Sequence, residues 1–189
     1  MFIRSERLFL RPGWPEDWQE LLERIDDEAV VRNLAKVPWP YTAEDARGFA
    51  GQPQDPRCPH FFVTLPSSSD PAELIGCVGL AEADGEVELG YWFARRHWGK
   101  GYATEATRAV LRLARVLGHR TIVAGHFIDN PASGAVLRKA GFAPTGRLVR
   151  RFSLSRGYET QSVEHRIVLG APCDCDGGDD PADLPMRAA

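Results

Sequence analysis

The chain has 189 residues, 43% of them hydrophobic and 26% charged, the size and composition of one soluble globular domain. No apolar run approaches transmembrane length and no secretory leader pattern opens the chain, so a cytoplasmic location without a membrane partner is expected. The formal charge of −3 includes five Asp and one Arg after residue 170, which leaves the rest at +1, and neither part has the charge of a nucleic-acid binder.

Residues 8–10 read as an opening strand. Pro15 starts a helix with Glu16 and Asp17 in its first turn, and Trp18, Leu21, Leu22 and Ile25 recur at helical spacing. A second helical patch covers 29–34. Val37-Pro38-Trp39-Pro40-Tyr41 is irregular, because two prolines bracket the tryptophan. Thr42 caps the next helix with Asp45 three residues on, close to a capping box, and Ala46, Phe49 and Ala50 face inward. A Gly/Pro-rich loop over 51–59 precedes a strand at 61–65, a serine-rich turn at 66–71 and a strand at 74–81. Asp84-Gly85 is a hairpin turn into a strand at 87–93. The major helix covers about 101–117, with Ala103, Ala106, Val110, Leu113 and Leu117 as its apolar stripe and Gly118 at its end. A strand at 121–127 follows, then Asn130-Pro131 as N-cap and first helical residue of a short helix that stops at Gly141. Two last strands, near 146–153 and 163–169, flank Ser155-Arg156-Gly157. Residues 171–189 read as a disordered acidic tail after a domain over 1–170.

The strand–helix–strand unit around 87–127 requires a right-handed parallel crossover, whereas the hairpins on either side are antiparallel. The fold class is therefore α/β with a mixed sheet. Cys58, Cys77, Cys173 and Cys175 lack zinc-site spacing and no His-x-x-x-His pair occurs, so no metal is expected.

The most informative segment is Arg96-His97-Trp98-Gly99-Lys100-Gly101-Tyr102-Ala103, between a strand and a helix start. Unpaired N–H groups and the helix dipole make such a turn an anion cradle, and glycines let a ligand approach the backbone. The nucleotide-hydrolase loop is excluded by its spacing and by the lack of a hydroxyl after Lys100. A dinucleotide fingerprint is excluded by Thr104 at its third small position and by the absence of an acidic residue in 121–127. What remains, Arg-x-x-Gly-x-Gly, resembles the acyl-CoA pyrophosphate loop of the GCN5-related N-acetyltransferase (GNAT) superfamily.

Further pieces, in that family's order, resemble its RimJ/RimL-type branch of ribosomal-protein N-terminal acetyltransferases. These are Ser5 to Pro12, Pro40 to Ala46, Glu88 to Trp92, Trp98 to Ala106, Asn130 to Ser133, and Lys139 to Phe142. The resemblance covers about residues 1–170. It implies a mostly antiparallel mixed sheet with one splayed parallel pair, helices on both faces, and acetyl-CoA as cosubstrate in the splay. Backbone groups of Tyr91, Trp92 and Phe93 would pair with the pantetheine arm as an added strand. Amides from His97 through Trp98, Gly99, Lys100, Gly101 and Tyr102 to Ala103 and Thr104 would hold the diphosphate. Arg96, Lys100 and Lys139 would supply charge, unless they are simply solvated. Homodimers are a family-level expectation.

The activity implied is acetyl transfer to a primary amine by direct attack in a ternary complex. The family's usual helix tyrosine is replaced here by Leu137. In the Rim-type branch Ser133 becomes the candidate at the sulfur, and Asn130 contacts pantetheine or amine. A first-turn serine without a role and a plain N-cap are the competing readings. Glu88 is the candidate base, against a strand glutamate on a wet face; Glu164 and His165 stand behind it. Trp39 and Tyr41 would wall the acceptor, with Glu88 beside it. Arg147, Arg150 and Arg151 either attract an acidic group or form a solvated edge. The acceptor is a small amine or a peptide N-terminus. A non-catalytic acyl-CoA-binding or regulatory module on the same scaffold is the alternative.

Overall fold

The computed structural model describes residues 1–67 and 71–170. The acidic tail, with Cys173 and Cys175, lies outside the described residues.

In chain order the elements are β1 (Ile3–Arg4), β2 (Phe9–Arg11), a 3-10 turn (Pro15–Asp17), α1 (Trp18–Ile25), α2 (Glu28–Val31) and α3 (Ala43–Ala50). Then come β3 (His60–Leu65), β4 (Glu73–Ala83), β5 (Glu86–Phe93), a second 3-10 turn (Arg95–His97) and α4 (Tyr102–Val116). The chain continues through β6 (Thr121–Phe127), α5 (Pro131–Ala140), β7 (Ala143–Ser153) and β8 (Tyr158–Val168). The strands form one sheet in the order β1-β2-β3-β4-β5-β6-β8-β7. Each neighbouring pair is antiparallel except β5–β6, where α4 makes the crossover.

Local chemistry sets the boundaries. Thr42 and Asp45 form the capping box that starts α3. Asn130 accepts from the Ser133 N–H and Pro131 occupies N1 of α5, which ends at Gly141 with φ +103°. Asp84 and Gly85, both at positive φ, make the turn between β4 and β5.

Alternation along the strands divides the core in two. Phe61, Val63, Leu89 and Phe93 pack with α4 and α5 on one face. Phe62, Cys77 and Trp92 pack with α1, α2 and α3 on the other. β8 starts at Tyr158 rather than near 163, because β7 pairs with Tyr158–Ser162 along an edge that alternation of apolar residues does not mark. The helical patch expected to reach residue 34 ends as α2 at Val31, its last turn closing through Asn33 N–H to Val30 O and Leu34 N–H to Val31 O.

Candidate active site

The parallel pair is the feature that makes a site. β5 and β6 are in register only at Glu88 and Val123, and beyond that point they diverge. A cleft of about 670 Å³ runs through the divergence. Strand alternation gives it two halves. Tyr91 faces α5, whereas Glu88 and Trp92 face the α1–α3 side.

On the α4–α5 side, Gly99 (φ +74°) and Gly101 (φ +82°) turn the chain into α4. Gly101 is the N-cap and no side chain caps the helix, so the first-turn N–H groups stay open to a ligand. Arg7 holds this turn from behind. Its Nη1 donates to Lys100 O (3.1 Å), its Nε to Glu105 Oε2 (2.8 Å) and its backbone N–H to Glu105 Oε1 (2.7 Å), while its guanidinium lies 4.7 Å over the Tyr102 ring. Burial works to raise the Glu105 carboxyl, but the bonds from Arg7 and Ser5 outweigh it and hold it below the usual range. Glu105 thus ties the loop to the chain start, beyond the dipole effect.

His97, Trp98, Gly99, Gly101 and the first turn of α4 line the cleft. Arg96 and Lys100 do not; Arg96 pairs with Glu73, which also accepts from His97. The carbonyl of Phe93 accepts from the Trp98 indole at 2.7 Å, so that strand group is already satisfied from within the protein.

Across the divergence, the Tyr91 hydroxyl lies 2.8 Å from Ser133 Oγ and donates to Ser133 O at 3.2 Å. Burial raises the Tyr91 hydroxyl to about 12, against the pull of the Ser133 bond, so it stays protonated. Leu137 is fully buried in the core, and the tyrosine hydroxyl reaches the α5 side from a strand. Side-chain direction along 87–93 carried this signal: Leu89 and Phe93 share the face of Tyr91. Asn130 caps α5 through Oδ1 and lines the cleft, as does Lys139.

Also under α5, His126 meets the His165 ring edge-on, with centroids 5.1 Å apart. Burial pushes both imidazoles below their ordinary range, and Arg138 adds to it. His126 lines the cleft and His165 is fully buried; no motif in the sequence singled out His126.

On the α1–α3 side the cleft is apolar, with Val30, Leu34, Val37, Tyr41, Phe49 and Trp92 in its wall. Trp39 lies outside this wall, 37% exposed: Val37 and Tyr41 are anchored in the core beside it, and the proline-bracketed indole between them faces solvent. Glu88 is not on a wet face. It is ion-paired with Arg151, and the side chains are 16% and 32% exposed. Arg151 therefore belongs to the cleft, whereas Arg150 pairs with Glu159 on the exposed strand edge and Arg147 with Glu164. Among the described residues no group of His, Cys, Asp and Glu could hold a metal ion, and no helix is long and apolar enough to cross a membrane.

A family model for the acetyltransferase (GNAT) domain matches residues 7–143. The uncharacterized N-acetyltransferase YoaA of Bacillus subtilis (strain 168) is 36% identical over 175 residues, 88% of this chain and 96% of the relative. A GNAT-family acetyltransferase structure from Bacillus anthracis superposes with a TM-score of 0.75 at 25% identity, covering 89% of this chain and 98% of that one. The ribosomal alpha-N-protein acetyltransferase RimL in complex with coenzyme A superposes with a TM-score of 0.72 at 18% identity, covering 91% and 100%. The chain belongs to the GNAT acetyltransferase family.

Proposed function

We propose that this GNAT-family chain moves an acetyl group from acetyl-CoA to a primary amine, with residues 1–170 as the catalytic domain and the reaction centred where β5 and β6 part. The open helix start at Gly101 is suited to the diphosphate. Arg7 stands at that turn, its Nη2 3.4 Å from where a Gly101 Cβ would lie, and Lys139 lines the cleft as a further cation. The free edge of β5 beyond Glu88 offers backbone groups to the pantetheine arm.

The amine arrives protonated and must lose a proton before it attacks. Glu88 stands at the apex of the divergence, and Arg151 engages its Oε1. Its Oε2 accepts the proton directly or through one water. The C–N bond then forms, the C–S bond breaks, and the electron pair goes to sulfur. Placement of the two reactants supplies most of the rate.

Tyr91 and Ser133 stand at the sulfur end. Burial keeps the Tyr91 hydroxyl protonated, at about 12. The pair is placed to hydrogen-bond the departing thiolate. Asn130 holds Ser133 in place through the cap.

The observation that carries this reading is the single register point of the parallel pair beside an uncapped helix start. Isothermal titration with acetyl-CoA, followed by a CoA-release assay over an amine panel, tests it. Binding in the micromolar range and release with at least one amine are expected. A chain indifferent to acetyl-CoA would overturn it.

A further inference from the structure

We propose that the acceptor is a free α-amino acid with an apolar side chain, its ammonium held by Glu88 and its carboxylate by Arg151. The inference rests on the acetyltransfer reading above and names the substrate class of the same site.

The argument starts from charge. Among the described residues, Glu88 is the one carboxylate in the lining of the cleft, and Arg151, Lys36 and Lys139 bring three cations to it. A polyamine needs several acceptor carboxylates along its length. This cleft has one, already engaged with a guanidinium. A carboxylate and a guanidinium side by side match a zwitterion whose two charged groups share one carbon.

Both groups have capacity left. Arg151 spends Nη1 on Glu88, and its other donors have no protein acceptor among the described residues. Glu88 spends Oε1 and keeps Oε2. The guanidinium lies over Gly125, where an added Cβ would stand 3.5 Å from Cζ and 3.6 Å from Nη2. Those distances are ordinary contact, and the tight neighbour of such a Cβ would be Ser162 Oγ at 2.8 Å. Glycine does not reach into the space beside the pair, but a larger apolar side chain does: Val30, Leu34, Tyr41, Phe49 and Trp92 wall it. A peptide N-terminus lacks the carboxylate on that carbon, so Arg151 discriminates against it.

The test compares L-phenylalanine, L-leucine and L-methionine with their amides, the matching decarboxylated amines, spermidine and an alanine-led tetrapeptide. The full chain is used with saturating acetyl-CoA, and CoA release is measured. The free acids should exceed their amides by roughly tenfold in kcat/KM, the worth of one charge-assisted contact. In Arg151→Gln that ratio should fall towards one. Equal or better turnover of the amides, the tetrapeptide or spermidine would overturn the proposal, as would a ratio that survives Arg151→Gln. The wild-type ratio decides alone where that variant does not fold. Failure of acetyl-CoA to bind, or of any amine to release CoA, would instead overturn the reading on which the proposal rests.

Discussion

Tyr91 on β5 and Ser133 on α5 meet across the divergence of the sheet, hydroxyl to hydroxyl, at 2.8 Å. The pair forms one unit, because the Tyr91 hydroxyl also reaches Ser133 O. Residues acting as a unit lose their effect together. Tyr91→Phe and Ser133→Ala should each lower kcat by roughly tenfold to a hundredfold, with the acetyl-CoA dissociation constant nearly unchanged. The double variant should be little worse than either single one. Additive losses in such a cycle would mean that the two hydroxyls act separately.

Gly101→Ala places a Cβ at φ +82°, 3.4 Å from the Arg7 guanidinium. The left-handed backbone alone costs about 1–2 kcal/mol in an ordinary residue. Acetyl-CoA affinity should fall at least roughly tenfold by calorimetry, with the acceptor KM less affected.

Arg7 never enters the cleft lining, yet it bonds the loop at Lys100 O and the helix at Glu105. Arg7→Ala should weaken acetyl-CoA binding by roughly tenfold and lower Tm by a few degrees. Glu105→Gln keeps one acceptor oxygen but sets an NH2 against the Arg7 Nε, so it breaks the Arg7–Glu105 pair and leaves the bond to Lys100 O, and it should do less of both. Equal damage from the two variants would show that the Arg7–Glu105 pair, rather than the bond to Lys100 O, matters.

His60, His126 and His165 all lie below the ordinary imidazole value of 6.5, chiefly through burial. The folded chain then binds fewer protons than the unfolded chain as pH falls below 6.5, so stability declines there. Above that value the contribution is fully present. Urea midpoints should be flat from pH 8 to 7 and begin to drop below about 6.5. Glu73, Glu105 and Asp129, held below their ordinary values of 4.5, 4.5 and 3.8, add a second loss on further acidification. A flat profile down to pH 5 would refute the buried-neutral state of these imidazoles.

Trp39→Ala, in contrast, should leave the acceptor KM within about twofold, because the indole is outside the cleft wall. Tyr41→Ala should raise it, since the Tyr41 ring is 8% exposed and part of that wall.

The local devices were legible in the sequence because each is written within a few residues: the Thr42–Asp45 box, Asn130-Pro131, Gly141, and the glycines of the loop. The parallel crossover followed from chirality. The Glu88–Arg151 pair was not legible, because it depends on an Arg151 side chain on edge strand β7 reaching past β8 and over Gly125 of β6 to β5, across 63 residues of chain. For Tyr91 the resemblance implied only a backbone contact to the pantetheine arm; that its hydroxyl crosses to Ser133 on α5, where Leu137 is buried, depends on how strand and helix pack. Trp39 misled because bulky aromatics beside a cleft usually enter it, and only the anchoring of Val37 and Tyr41 decides which one does.

The buried residues form two clusters on opposite faces of the sheet, and β5 and β6 part beyond Glu88 and Val123. The glycine turn lines one half of the cleft and the apolar wall the other. On the proposed reading, donor and acceptor come from opposite faces of the sheet, and product-inhibition patterns should show no compulsory sequence of arrival.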